Sequence, residues 1–99
     1  MQFVVIIHDG TDKEAPARRL ATRPAHLEYV KPFFESGALV YGGALLDDAG
    51  NPVGSMLVAN APSAAALRSE ILDGDPYMTE GVWQEVDIRP FRPAPFFDK

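Results

Sequence analysis

Two runs, Ala38-Leu39-Val40-Tyr41-Gly42-Gly43-Ala44-Leu45-Leu46 and Val53-Gly54-Ser55-Met56-Leu57-Val58-Ala59, are joined by Asp47-Asp48-Ala49-Gly50-Asn51-Pro52, and their reading decides the fold. Both runs are apolar and of strand length. The connector is dense in turn-forming residues, so the stretch predicts a β-hairpin made of the second and third strands. The paired Gly42-Gly43 predicts either a bulge or a point where another group comes close to the backbone. In the third strand, Ser55 falls on the same face as Leu57 and Ala59.

A helix is expected on each side of this hairpin. Upstream, Leu27, Val30, Phe33 and Phe34 recur at helical spacing, and Ser36-Gly37 supplies a stop. A residue that precedes proline avoids the α region, which predicts a start near Thr22, with Thr22 as cap and Pro24 in the first turn. Residues 11–17 then read as a loop or loose first turn, and 18–21 as a candidate helical turn. Pro32 is expected to bend the helix. His26 shares a stripe with Val30 and Phe33, on or beside the buried face. Downstream, Ser63 is the predicted cap of a helix carrying Ala64, Ala65, Ala66, Leu67, Ile71 and Leu72, ended by Asp73-Gly74. Asp75-Pro76-Tyr77-Met78-Thr79-Glu80-Gly81 then predicts one short capped turn, with Asp as N-cap, Pro at the first position and Gly at the exit.

The outermost elements are strands. Residues 3–7 form an unbroken β-branched and aromatic run, and its alternate sets, Phe3, Val5, Ile7 and Val4, Ile6, His8, are both largely apolar. Both faces of the first strand therefore call for cover. Residues 82–89 give the fourth strand, with Val82, Val86 and Ile88 on one face and Trp83, Glu85, Asp87 and Arg89 on the other. Three prolines in 90–97 exclude a central strand there, so 90–99 is expected as an extended tail whose aromatics pack on this subunit or a neighbour. The order β-α-β-β-α-β predicts an α+β, ferredoxin-like fold in a single domain, 1–99, with a four-stranded antiparallel sheet and two main helices on one face. The second apolar face of strand one predicts a homodimer whose sheets pack together, an α+β barrel.

Composition narrows the function. With 46% hydrophobic and 23% charged residues the chain reads as globular rather than disordered. A net charge of -5 without a basic stripe argues against nucleic acid as a partner. The absence of cysteine excludes disulfides, thiolate nucleophiles and Cys-based metal sites, and fits a reducing compartment. The first apolar run lacks a cationic flank and is too short for a signal peptide, and no segment reaches membrane-span length. The expectation is a cytoplasmic protein with no membrane partner. No cofactor is indicated, for there is neither a Walker loop nor a Gly-x-Gly-x-x-Gly after a strand. His8, His26 and Asp75 lack any metal-ligand spacing.

Acid–base chemistry can rest on His26 and Asp75. If they touch, the carboxylate fixes the tautomer of the imidazole and stabilises its protonated form. Such an imidazole can take a proton from a bound substrate and return it. A helix starting at Thr22 would set His26 near the positive end of the dipole, which opposes the imidazolium. The structural alternatives are Asp75 as a helix cap only and His26 as a border histidine. Arg19, Arg23, Tyr41, Gly43, Ser55 and Tyr77 are the candidate substrate contacts, the arginines suiting a carboxylate.

Taken in order, Arg19-Leu20-Ala21-Thr22-Arg23-Pro24-Ala25-His26-Leu27, Gly37 with Gly42-Gly43, Asp75-Pro76-Tyr77 with Gly81-Val82, and Pro90-Phe91 resemble the YciI-like (YCII-related) family of small α+β proteins. The resemblance covers almost the whole chain. It implies a ferredoxin-like dimer with a pocket holding a histidine–aspartate pair, which falls on His26 and Asp75. Some members resemble enzymes that eliminate or isomerise small hydroxylated aromatic compounds. Gly43-Ala44-Leu45 departs from the family's usual Gly-Pro after strand two. The leading expectation is a cofactor-independent lyase- or isomerase-type enzyme acting on a small polar or phenolic compound. The alternatives are a small-ligand binding or regulatory module using the same pocket, and a heme- or oxygen-dependent monooxygenase-like dimer.

Overall fold

The computed structural model describes residues 1–97. The last two residues of the expected tail, 98–99, lie outside the described residues. The element order is β1 (Gln2–Asp9), α1 (Ala15–Ser36), β2 (Leu39–Leu46), β3 (Pro52–Asn60), α2 (Ala64–Leu67) running into a π-helical turn (Arg68–Leu72), α3 (Pro76–Thr79) and β4 (Trp83–Phe91). The strands form one antiparallel sheet in the order β2-β3-β1-β4. This is the β-α-β-β-α-β, ferredoxin-like arrangement that the hairpin and its flanking helices predict. No helix among the described residues is long and apolar enough to cross a membrane.

Alternation along β1 divides the sheet into two faces. Phe3, Val5 and Ile7 are buried with Leu57 and Ala59 of β3 beneath Val30 of α1 and Leu67, Ile71 and Leu72 of the second helical segment. Val4 and Ile6 point to the other face, beside Met56 and Val58, and are only half-buried.

Two expectations need correction, and one pair of alternatives is decided. Helix α1 begins at Ala15, seven residues before Thr22, with Pro16 in its first turn and both Pro24 and Pro32 inside it. Ion pairs to the end of β1 and the loop after it hold the added turns: Arg19 to Asp9 at 2.8 Å and Arg18 to Asp12 at 2.7 Å. Thr22 is no cap; its hydroxyl donates to the Arg18 carbonyl at 2.8 Å. His26 accordingly lies near the middle of α1, and the argument from the helix dipole falls away, since that effect fades within the first turn. The glycine pair is not a bulge. The β2–β3 register runs straight through Gly42 and Gly43 and shifts instead between Leu39 and Tyr41 and between Leu45 and Leu46. Gly42 is a close approach: a Cβ there would meet Leu57 Cδ2 at 2.6 Å.

The other correction concerns β4. A bulge carries its pairing with β1 from His8–Glu85 to Asp9–Trp83, skipping Gln84. The extra residue turns Trp83 onto the core face with Val86, where it is 3% exposed, instead of leaving it with Glu85. The strand also continues through Pro90, opposite Phe3, and Phe91, opposite Gln2. Pro90 is tolerated because β4 is an edge strand. The tail proper begins after Phe91, and its Phe96 and Phe97 are exposed.

Candidate active site

Local backbone chemistry places Asp75. Ser63 caps α2, accepting from the Ala66 N–H at 3.0 Å. The helix then widens into the π turn, and the chain reverses at Asp73-Gly74. Tyr29 of α1 donates to the Ile71 carbonyl at 2.6 Å and clamps that reversal to the long helix. Gly74 leaves room for this bond, because a Cβ would sit 2.8 Å from the Tyr29 hydroxyl oxygen. Asp75 follows in extended conformation as the N-cap of α3, its Oδ1 accepting from the Tyr77 N–H at 2.8 Å. The carboxylate is 1% exposed.

A carboxylate so deeply buried needs a partner. It has one in His26, whose Nδ1 lies 2.9 Å from both Oδ1 and Oδ2. An ionised carboxylate only accepts, so Nδ1 carries a proton and, in the neutral ring, Nε2 holds the free lone pair. Two aromatic rings fix its pose. It stacks on Tyr77 with centroids 3.9 Å apart and planes 11° from parallel, while Trp83 meets it edge-on at 5.7 Å. Among the described residues Nε2 has no hydrogen-bond partner, and it is not shut off from solvent.

A second buried pair adjoins the first. Arg19 Nη1 donates to both oxygens of Asp9, at 3.0 and 2.8 Å, and Nη2 donates to Ser55 Oγ at 3.2 Å. Trp83 Nε1 donates to the same Oγ at 3.1 Å. The guanidinium also stands 4.8 Å from the centroid of the Tyr77 ring. Burial pushes the Tyr77 phenol above its usual range, and the positive charges of Arg19 and Arg23 oppose that shift.

These side chains converge on a pocket of about 150 Å³ lined by Arg19, Arg23, His26, Gly43, Ser55 and Tyr77, with Leu27, Val30, Phe34, Gly42, Ala44 and Leu57 as the remaining wall. Asp75 stands behind His26. Of the residues singled out in the sequence, Tyr41 alone lies elsewhere. It pairs with Val58, projects from the other sheet face and is 68% exposed. Arg19 is not a free cation, because Asp9 occupies it. Arg23, by contrast, is exposed at the rim and makes no ion pair among the described residues. Sequence reasoning missed Asp9 and Trp83. The signal for Asp9 was the charge complement to Arg19, which reads as a turn residue when the strand is taken alone. For Trp83 there was none, since only the bulge turns it inward.

The YCII-related domain family matches residues 1–92. Protein YciI of Escherichia coli O6:H1 is 31% identical over 98 residues, covering 93% of this chain and 97% of that protein. A protein of Emericella nidulans called derivative of benzaldehyde biosynthesis cluster protein C is 41% identical over 93 residues, 85% of this chain and 89% of its own. Among solved structures, 5-chloro-2-hydroxyhydroquinone dehydrochlorinase (TftG) from Burkholderia phenoliruptrix AC1100, in complex with 2,5-dihydroxybenzoquinone, matches with a TM-score of 0.80 at 22% identity, over 99% of this chain and 100% of that one. At that identity the likeness shows the shared fold.

Proposed function

From a chain that belongs to the YCII-related domain family, we propose a small-molecule enzyme that moves protons with the His26–Asp75 pair, needs no cofactor, and acts on a single hydroxylated ring. The observation that carries this reading is the buried carboxylate on Nδ1 at 2.9 Å, which leaves the Nε2 lone pair for the pocket. Asp75 orients the imidazole and stabilises the imidazolium that forms when Nε2 takes a proton.

Two outcomes are open to that proton. In an elimination, the C–H bond breaks, its electron pair forms the new double bond, and the leaving group departs with its own pair. In an isomerisation, the imidazolium returns the proton to another atom of the same ring. Both balance without an external oxidant or reductant. The size of the pocket supports a small substrate, since a cavity of about 150 Å³ holds one benzene ring. Arg23 at the rim suits an anionic substituent. The compound bound by TftG is likewise one hydroxylated six-membered ring.

The proposal extends to assembly. Val4, Ile6, Met56 and Val58 form a half-buried apolar strip on the sheet face that the helices leave open. A second copy packed there would complete a homodimer.

Exchange of substrate protons with solvent tests the chemistry. Single-ring hydroxylated compounds are incubated with the protein in heavy water and followed by NMR. The expected result is deuterium incorporation or product with the wild type, and neither with His26→Ala. Tight binding without exchange or product would overturn the enzyme reading in favour of a binding module.

A further inference from the structure

Ser55 is the buried polar side chain whose hydrogen-bonding capacity the proton-transfer pair leaves unexplained. A hydroxyl has two lone pairs and one proton. Both lone pairs are taken: Arg19 Nη2 donates to Oγ at 3.2 Å and Trp83 Nε1 at 3.1 Å. Neither donor is free to turn away, because Asp9 accepts twice from Arg19 Nη1 and Trp83 is 3% exposed in the core. The hydroxyl can therefore only donate. Among the described residues it meets no acceptor, and Ser55 lines the pocket.

We propose that Ser55 is the hydrogen-bond donor to an acceptor oxygen of the bound ring, and that the site takes compounds carrying a carbonyl or phenolate oxygen. This rests on the pocket reading above and assigns it a substrate class. Arg19 is a positioning residue. Its charge polarises Oγ, so the serine proton is a better donor than an isolated hydroxyl supplies. When His26 removes a proton from carbon conjugated to that carbonyl, negative charge moves onto the oxygen facing Ser55, and the bond strengthens as the charge develops.

The test uses 2,5-dihydroxybenzoquinone as the acceptor-bearing probe and toluene as a ring without one, with the His26 ring signals reporting occupancy. The wild type is expected to bind the quinone with a shift of those signals. Ser55→Ala is expected to weaken the quinone about tenfold and leave toluene unchanged, the loss of one polarised hydrogen bond. Ser55→Thr, which keeps the hydroxyl, should bind the quinone within a few-fold of the wild type. If Ser55→Ala does not fold, Ser55→Cys gives the same reading, since sulfur keeps an acceptor for Arg19 and Trp83 but is a weak donor. Undiminished quinone binding by Ser55→Ala would overturn the inference and leave the pocket standing, as would an equal loss for both probes. A wild type that binds no quinone, or binds it without moving the His26 signals, would overturn the inference and the pocket reading together.

Discussion

Asp75→Asn separates the two jobs of this carboxylate in one substitution. Oδ1 accepts from the Tyr77 N–H at 2.8 Å, and both oxygens lie 2.9 Å from His26 Nδ1. Asparagine caps helices as well as aspartate does. Its carbonyl oxygen must stay on the Tyr77 N–H, which puts its NH2 group where Oδ2 was. Two donors cannot face each other at that distance, so the neutral imidazole gives up its Nδ1 proton and carries one on Nε2 instead. The substitution thus inverts the tautomer and leaves the fold in place. A charge-assisted hydrogen bond becomes a neutral one, which costs on the order of 1–2 kcal/mol of stability. Under the proposed function the expected loss of activity is that of a positioned general base, about 10²–10⁴-fold, because Nε2 no longer has a lone pair to offer. The chain holds only His8 and His26, so a His8→Asn background leaves one imidazole to observe. Ring nitrogen NMR of the neutral side chain then reads the tautomer directly. The expected change is a pyrrole-type Nδ1 in the parent and a pyridine-type Nδ1 in Asp75→Asn. An Asp75→Asn protein that folds and keeps its proton on Nδ1 would refute the reasoning, the amide oxygen then accepting from both the Tyr77 N–H and the imidazole.

Gly74→Ala drives a methyl to 2.8 Å from the Tyr29 hydroxyl oxygen and should cost about 1–3 kcal/mol in denaturant unfolding. In the Tyr29→Phe background the same change should cost less, because the nearest remaining ring carbon is 3.4 Å away. Asp9→Asn strips the buried partner from Arg19 and should destabilise by about 3–5 kcal/mol, more than any exposed pair of this chain. Burial raises the Tyr77 phenol, so its contribution is complete below the unfolded value near 10 and is lost as pH rises through the folded one. Tyr77→Phe should therefore flatten the alkaline limb of a melting-temperature profile. The Asp47 carboxyl is held low by the Asn51 N–H, so its contribution is present above the usual carboxylate range and lost as pH falls through its folded value. The deficit of Asp47→Ala should shrink correspondingly in acid. Ile6→Lys places a charge on the open sheet face and is expected to give a monomer in sedimentation, with the helix-side core intact.

What the sequence revealed and what it concealed divide along one physical line. The Asp47–Asn51 turn, the Ser63 cap and the Asp75-Pro76 cap are legible because side chain and backbone partner lie within four residues of each other. The start of α1 is not, because ion pairs to the end of β1 and the loop after it settle it against the local preference of Thr22-Arg23-Pro24. The facing of Trp83 is hidden for a similar reason: one extra residue in β4 reverses the alternation. His26 and Asp75 stand between these cases. Their types and stripes are readable, but the contact spans 49 positions and exists only once α1 crosses the turn before α3.

From sequence, Asp75 stood as either a cap or a partner, and the two roles prove to be one. A carboxylate offers about four acceptor sites, and this one spends part of Oδ1 on the Tyr77 N–H and the rest on the imidazole. Capping fixes the carboxylate against the backbone, and Tyr77, positioned by that same cap, supplies the surface on which His26 stacks at 3.9 Å. The imidazole is thus oriented from two sides by a single turn. A carboxylate on a free side chain would have to be ordered each time a proton moved. One already ordered by the helix it begins keeps the Nδ1 proton in place and the Nε2 lone pair available before any ligand arrives.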